Sequence, residues 1–293
     1  MHIDIAFPGW SSRTEILRQR IDPLPLEALA ATLDLEIKFA EDEPLPPGWH
    51  WLYFNSAVRR SYLAEDGHPR RDSANSFLPP VPLPRRMWAG SRIHYPTNLP
   101  IGAGATRTSR ILNVTNKEGS AGKLCFVTVE HRISVSIAGS ERDCIVEEQG
   151  IVYRETNRPQ SSSVKKSVAP EKPVQWKERI KPDNVLLFRY SALTFNAHRI
   201  HYDERYACDV EGYKNLVVHG PLTATLLQNF ARACKPDSRI ARFEFKGSSP
   251  LFVNEALELQ AWLDAENPNL LRMRALDQNG TPAMEASAQL EHT

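Results

Sequence analysis

The sequence predicts an α+β protein made of two similar units, each an antiparallel sheet wrapped around a central helix. Three observations carry this reading. Each half has an amphipathic helix pattern followed by a run of strand-like segments, a polar proline-punctuated stretch separates the halves, and 293 residues suit one large domain or two small ones. The halves resemble each other in pattern rather than in residues.

In the first half, residues 25–37 (PLEALAATLDLEI) place Leu26, Leu29, Ala30, Leu33 and Ile37 on one helical face. A proline-rich stretch at 79–84 precedes strand-like segments at 86–95, 107–115, 124–137 and 144–154, with Asn116-Lys117-Glu118-Gly119 as a turn between two of them. Residues 157–177 are serine-rich, carry Pro159, Pro170 and Pro173, and lack the apolar groups to order themselves. The expected division is a first, non-catalytic unit at 1–156, a linker at 157–179 and a second, catalytic unit at 180–293.

In the second half, residues 184–191 read as a short apolar strand. Residues 220–233 (GPLTATLLQNFARA) repeat Leu222, Leu226, Leu227 and Phe230 at helical spacing, and Pro221 suits a first helical turn, where a missing N–H costs nothing. Strand-like segments follow at 240–245, 256–263, 270–275 and 283–290, with Asp277-Gln278-Asn279-Gly280 as a turn signal between the last two. Helix 220–233 is apolar enough to fill the concave face of a sheet. Two such units pairing edge to edge would form one continuous sheet and remove exposed strand edges.

Composition narrows the function classes. A hydrophobic fraction of 41% and a charged fraction of 24% are those of an ordinary globular chain, and a net charge of +1 gives no electrostatic reason to expect nucleic acid or an anionic membrane as partner. No apolar run approaches the ~20 residues of a membrane span. Cys125, Cys144, Cys208 and Cys234 are widely spaced, which argues against structural zinc and a disulfide framework. The first residues lack a basic-then-apolar leader and carry Asp4 and Glu15, so a cytoplasmic location is expected.

Chemistry concentrates in residues 190–203 (YSALTFNAHRIHYD), where two imidazoles, an amide and a carboxylate fall within one loop, and in His219-Gly220-Pro221, which opens the apolar helix. Groups that move protons, followed by a glycine-led helix N-terminus able to hold developing negative charge, form an active-site pattern.

These residues resemble the MaoC-like, R-specific hydratase/dehydratases, which share the hot dog fold and act on enoyl and 3-hydroxyacyl thioesters. The likeness rests on YSALTFNAHRIHYDERYA followed by VVHGPL. Within that group the chain is similar to the subgroup of hydroxyacyl-thioester dehydratase type 2 and of the mesaconyl-C4-CoA and itaconyl-CoA hydratases, and Arg86-Met87-Trp88-Ala89-Gly90 looks like that subgroup's first unit. The resemblance implies a double hot dog fold. The general family pattern is an aspartate, an asparagine two residues on and a histidine five residues after the aspartate. With the histidine at His201, Asn196 stands in the aspartate position and His198 in the asparagine position, so the usual catalytic aspartate is absent.

The implied activity is reversible addition of water to an α,β-unsaturated acyl-CoA thioester, of a short C4-dicarboxylate type such as itaconyl-CoA or mesaconyl-C4-CoA, without a metal or redox cofactor. The alternatives are a 3-hydroxyacyl dehydratase of fatty-acid synthesis, acting on acyl carrier protein or CoA, and a non-catalytic thioester-binding module. A homodimer is compatible with any of them.

His201 is the expected acid/base, because an imidazole titrates near neutrality. His198 is expected to share proton transfer, bind a substrate carboxylate or orient its neighbour. Asn196 is expected to hold a water or orient His201, against an Asx turn as its alternative. Gly220 is expected to offer its N–H to the thioester oxygen, against a purely conformational glycine. Arg199, Arg205 and, in the first half, Arg86, Arg92 and Trp88 are candidate substrate-binding groups. Surface exposure is the alternative for Arg199 and Arg205, and core packing for Trp88. Asp203 is expected to fix the loop, and His219 to pack.

Overall fold

The computed structural model describes residues 4–5, 7–71, 76–119, 122–137, 139–155 and 173–292. The first half holds β1 (Asp4–Ile5), β2 (Thr14–Arg20), α1 (Pro23–Thr32), β3 (Arg85–His94), β4 (Gly104–Gly119), β5 (Gly122–Ile137) and β6 (Ser140–Arg154). The second holds β7 (Trp176–Ile180), α2 (Asn184–Leu193), α3 (Gly220–Cys234), β8 (Ser238–Gly247), β9 (Leu257–Leu263), β10 (Leu270–Leu276) and β11 (Pro282–His292).

All strands join one sheet in the order β1-β4-β5-β6-β3-β8-β11-β10-β9-β7, with β2 also on β4. Neighbouring strands pair antiparallel, and the sheet crosses from one half to the other where β3 meets β8, from Gly90 opposite Lys246 to His94 opposite Arg242. The edge-to-edge pairing expected of the two units is therefore present. Period-two burial explains the strands: Cys125, Val127, Val129, Ile133 and Val135 of β5 are buried on one face. The parity places His131 on that same inward face.

Helix α3 is buried on nearly every side, from Leu222 to Ala231, and packs against β8, β9, β10 and β11. It is the wrapped helix of the second half. The first half grips it from outside: Tyr95 Oη donates to Gln228 Oε1 at 2.7 Å and Trp49 Nε1 to Asn229 Oδ1 at 2.9 Å. One apolar cluster runs through both halves, including Ile21, Leu26 and Trp49 alongside Leu222, Leu227 and Met273. No helix of the described residues is long and apolar enough to cross a membrane.

Four expectations need correction. Residues 184–191 are helix, not strand: Asp183 accepts a hydrogen bond from Leu186 N at 2.7 Å, a helix-starting cap, and Leu187, Tyr190 and Ser191 are buried at helical spacing. The first helix ends at Thr32 rather than residue 37, because Asp34 takes a left-handed φ of 53°. It packs on α2 and on the 3₁₀ turn Trp49–Leu52, and that turn, not a long helix, meets β6 through hydrogen bonds from His50 and Trp51 to Glu147. Of the expected linker, residues 157–172 lie outside the described residues, while its end is strand β7 against β9. The turn expected at 116–119 is still strand, with Gly119 opposite Gly122. The turn at 277–280 is as expected, closed by Gly280 N on Asp277 O at 2.9 Å with Gly280 at φ 78°.

Candidate active site

Replacing a long helix by a short turn in the first half leaves space, and a cavity of about 1760 Å³ occupies it. That exceeds the ~300–1,000 Å³ usual for small-molecule sites. Its wall combines His198, His201 and Gly220 of the second half with His68, Arg86 and Trp88 of the first.

Helix α2 delivers the loop that the sequence singled out. After Leu193 the chain turns through Phe195, whose φ of 49° reverses its direction, and Asn196 N bonds back to Ser191 O at 2.8 Å. Asn196 Oδ1 then accepts from His198 N at 3.0 Å, the Asx turn weighed as its alternative role, and its side chain still lines the cavity. A 3₁₀ turn, Arg199–His201, follows. Asp203 fixes the loop as expected, accepting from Tyr206 N at 3.1 Å and from Arg199 Nη2 at 2.7 Å.

His201 is 7% exposed, and its Nδ1 lies 2.7 Å from Val217 O. A carbonyl only accepts, so Nδ1 carries the proton and Nε2 keeps the lone pair of a ring that lines the cavity. Burial first, and the neighbouring His198 second, push its pKa down to about 3, which keeps the ring neutral near pH 7. His219, fully buried, stacks on it with ring centroids 3.7 Å apart and bonds Ser191 Oγ through Nε2 at 2.8 Å. That is the packing role expected of it.

Gly220 begins α3, with His219 as its cap and Pro221 in the first turn. A Cβ built on Gly220 would meet no protein atom within 4 Å, and its φ is not left-handed. Neither protein packing nor backbone conformation requires glycine there, which weakens the purely conformational alternative. The residue borders the cavity with the helix's free N-terminal N–H groups.

Arg86 and Trp88 lie in the cavity wall. Trp88 is held by Nε1 donating to Ser91 Oγ at 2.9 Å and meets Trp51 edge-on at 5.1 Å. Burial chiefly, and the charge of Arg71, lower the Arg86 pKa, and among the described residues no carboxylate lies within ion-pair distance of it. Arg199 is not brought to the cavity. Asp203 takes its guanidinium, which also lies 4.2 Å over the Tyr206 ring. Arg92 likewise pairs with Glu148, at 2.6 Å, on an exposed face.

Sequence reasoning missed two clusters. Asp66 and His68 sit in a tight turn of the first half, where Ala64 N bonds His68 O at 2.7 Å. Asp66 Oδ2 and His68 Nδ1 are 3.0 Å apart, and the His68 ring lies 4.2 Å from that of His198. With His198 they bring donor atoms within 4.8 Å of one another, a set able to hold a cation in principle, although Asp66 and His68 already satisfy each other. The Asp-Gly-His turn was the available signal. The second cluster is the buried Glu147, which accepts from Ser91 Oγ at 2.6 Å and Trp51 Nε1 at 3.1 Å and pairs with His50 at 3.1 Å. Burial opposes its ionisation, but these bonds and the charge of His50 outweigh that and hold its pKa at about 2. No spacing in the sequence links these residues.

Comparison with known proteins agrees with this picture. Residues 48–253 match the family model of hydroxyacyl-thioester dehydratase type 2. A mesaconyl-C(4)-CoA hydratase of Chloroflexus aurantiacus is 42% identical over 285 residues, 96% of this chain and 97% of the relative. Among solved structures, a MaoC-like dehydratase from Phytophthora capsici superposes with a TM-score of 0.67 at 15% identity over 96% of this chain and 97% of that one. A Mycobacterium tuberculosis protein described as having a double hot dog fold gives 0.54 at 12% identity over 96% of each. The architecture is the double hot dog fold, and the chain belongs to the hydroxyacyl-thioester dehydratase type 2 family.

Proposed function

We propose that this protein is a hydro-lyase that adds water reversibly to an α,β-unsaturated acyl-CoA thioester of the short C4-dicarboxylate class, such as mesaconyl-C4-CoA or itaconyl-CoA. The observation that carries the reading is His201, fixed in one tautomer on Val217 O beside the glycine-led N-terminus of α3, in a single cavity. In hydration the neutral imidazole takes a proton from water as the water oxygen bonds to the β-carbon. The π-electron pair moves toward the thioester, whose oxygen gains charge, and the Gly220 N–H and the helix dipole meet that charge. The product carries OH on the β-carbon and H on the α-carbon, both from one water.

The acyl class is inferred from charge. An arginine in the cavity wall that feels the charge of Asp66 but, among the described residues, has no carboxylate within ion-pair distance favours a ligand that brings one. The cavity lining also carries the polar side chains of Arg107, His131, Glu147 and Gln149, which suits a short charged acyl group better than a long fatty chain. At the rim, exposed Arg60 and Lys246 offer cations for the phosphates of CoA. The relative named as a mesaconyl-C(4)-CoA hydratase supports the same class.

Loss of enoyl absorbance on incubation with crotonyl-, mesaconyl-C4- and itaconyl-CoA tests the proposal. Turnover of a dicarboxylate thioester is expected, with His201→Ala at least ~100-fold slower. Binding of all three with turnover of none would make the protein a thioester-binding module instead. Turnover only of long-chain 3-hydroxyacyl thioesters would favour the dehydratase of fatty-acid synthesis.

A further inference from the structure

Hydration needs a proton taken from water and a proton delivered to the α-carbon. In the general MaoC-like pattern that this loop resembles, an aspartate stands beside the histidine. Here that position is Asn196, which cannot take a proton and whose Oδ1 is already engaged by His198 N.

The structure brings a carboxylate to the site by another route. The turn around Gly67 in the first half docks directly on the loop of His198. Arg199 N donates to Asp66 O at 2.9 Å, and Arg199 Nη1 to Glu65 O at 3.2 Å. Gly67 adopts φ +90°, and a Cβ on it would lie 2.8 Å from the Ala197 carbonyl carbon and closer still to its oxygen. Backbone therefore touches backbone, which fixes where the Asp66 and His68 side chains can reach. Asp66 Oδ2 lies 3.0 Å from His68 Nδ1, and its other carboxylate oxygen, Oδ1, accepts from His68 N at 2.9 Å, so both oxygens hold the same residue.

We propose that Asp66 and His68 form an acid/base dyad of this active site beside His201, with His68 exchanging the α-carbon proton and Asp66 as its positioning residue. This rests on the hydratase reading above. Asp66 accepts the Nδ1 proton, so Nε2 of His68 is the lone-pair nitrogen of a ring that borders the same cavity as His201. Burial works against ionisation of Asp66, but the side-chain and backbone hydrogen bonds from His68 outweigh it and hold its carboxyl below the usual range. Burial and the nearby Arg86 lower the pKa of His68 to about 4, so at pH 7 the ring starts neutral. The carboxylate then stabilises the imidazolium that forms transiently.

His198 lies between the two bases, with its ring 4.2 Å from that of His68 and 5.4 Å from that of His201. In hydration the proton that His201 takes from water passes by way of His198 to His68, which gives it to the α-carbon. In dehydration His68 takes the α-proton, and His201 returns it to the departing hydroxyl as water. One water is added or lost, no redox partner is needed, and all three imidazoles end neutral.

The experiment compares His68→Gln, Asp66→Asn and wild type for kcat, KM, binding of a saturated acyl-CoA analogue, and thermal stability, using the thioester that the wild type turns over. Expected are a loss in kcat of ~100-fold for His68→Gln and ~10-fold for Asp66→Asn, with analogue binding within about threefold, as for loss of a general acid/base and of its orienting group. Free imidazole should restore part of the kcat of His68→Ala, which a purely structural role would not allow. If His68→Gln unfolds, Asp66→Asn and the imidazole rescue decide the matter. Wild-type kcat in His68→Gln, or losses confined to KM and stability without rescue, would overturn the dyad and leave the hydratase reading standing. A wild type that turns over no thioester overturns the hydratase reading and, with it, the dyad.

Discussion

Substituting Gly67 by alanine tests how the first half completes the site. The added methyl would stand 2.8 Å from the Ala197 carbonyl carbon and nearer to its oxygen, and both are backbone atoms that no rotamer change can move aside. The turn must therefore withdraw by more than an ångström. A side chain at φ +90° costs ~1–2 kcal/mol. The withdrawn turn also loses the Arg199 N to Asp66 O bond of 2.9 Å, a further ~1 kcal/mol. A global loss of about 2–3 kcal/mol is the upper bound, because a surface turn can shift without unfolding the core. Catalysis should suffer more. A misplacement of ~1 Å can cost on the order of 100-fold in rate. Gly67→Ala is thus expected to lower kcat by one to two orders of magnitude while moving the denaturation midpoint only modestly, read by enoyl absorbance and by urea unfolding of the same preparations. Wild-type kcat in a folded Gly67→Ala protein would refute the claim that the contact between the two loops positions the chemistry.

Gly220→Ala should fold as well as wild type, since its Cβ meets nothing within 4 Å, yet lose turnover because the methyl enters the thioester's space; equal kcat/KM in the two proteins would show that no substrate atom approaches that residue. Arg86→Gln should weaken kcat/KM for a dicarboxylate thioester by ~10–100-fold, the worth of a charged hydrogen bond, and leave crotonyl-CoA nearly unaffected; a uniform loss on both thioesters would count against carboxylate recognition. Glu147→Ala leaves Ser91, Trp51 and His50 without their buried acceptor and should cost ~3 kcal/mol or more in urea unfolding. Stability should also fall with acid. His131, His198 and His201 have folded pKa values of about 4, 3 and 3, each lowered chiefly by burial. The unfolded chain, with histidines near ~6.5, then binds more protons below that pH, and each group removes up to ~1.4 kcal/mol per pH unit as pH falls toward its folded value. An unchanged urea midpoint between pH 7.5 and 5.5 would contradict the neutral burial of these rings.

Local order in the chain was enough to determine strands β3–β6 and β8–β11, the wrapped helix and the loop that bears the histidines. Period-two burial in β5, the apolar spacing of α3 and the turn at Asp277 are all short-range signals, and each produced the element expected of it. The same short range explains the error at 184–191. An apolar run of that length suits strand or helix alike, and the Asp183 cap, rather than hydrophobicity, decides for helix. Only tertiary structure could place Asp66 and His68 against His198, or gather Ser91, Trp51 and His50 around Glu147. Those contacts join residues far apart in sequence, through a sheet that crosses from β3 to β8 and a short turn that leaves the cavity open. Local propensity carries no information about such meetings. They follow from which faces the completed sheet turns toward one another.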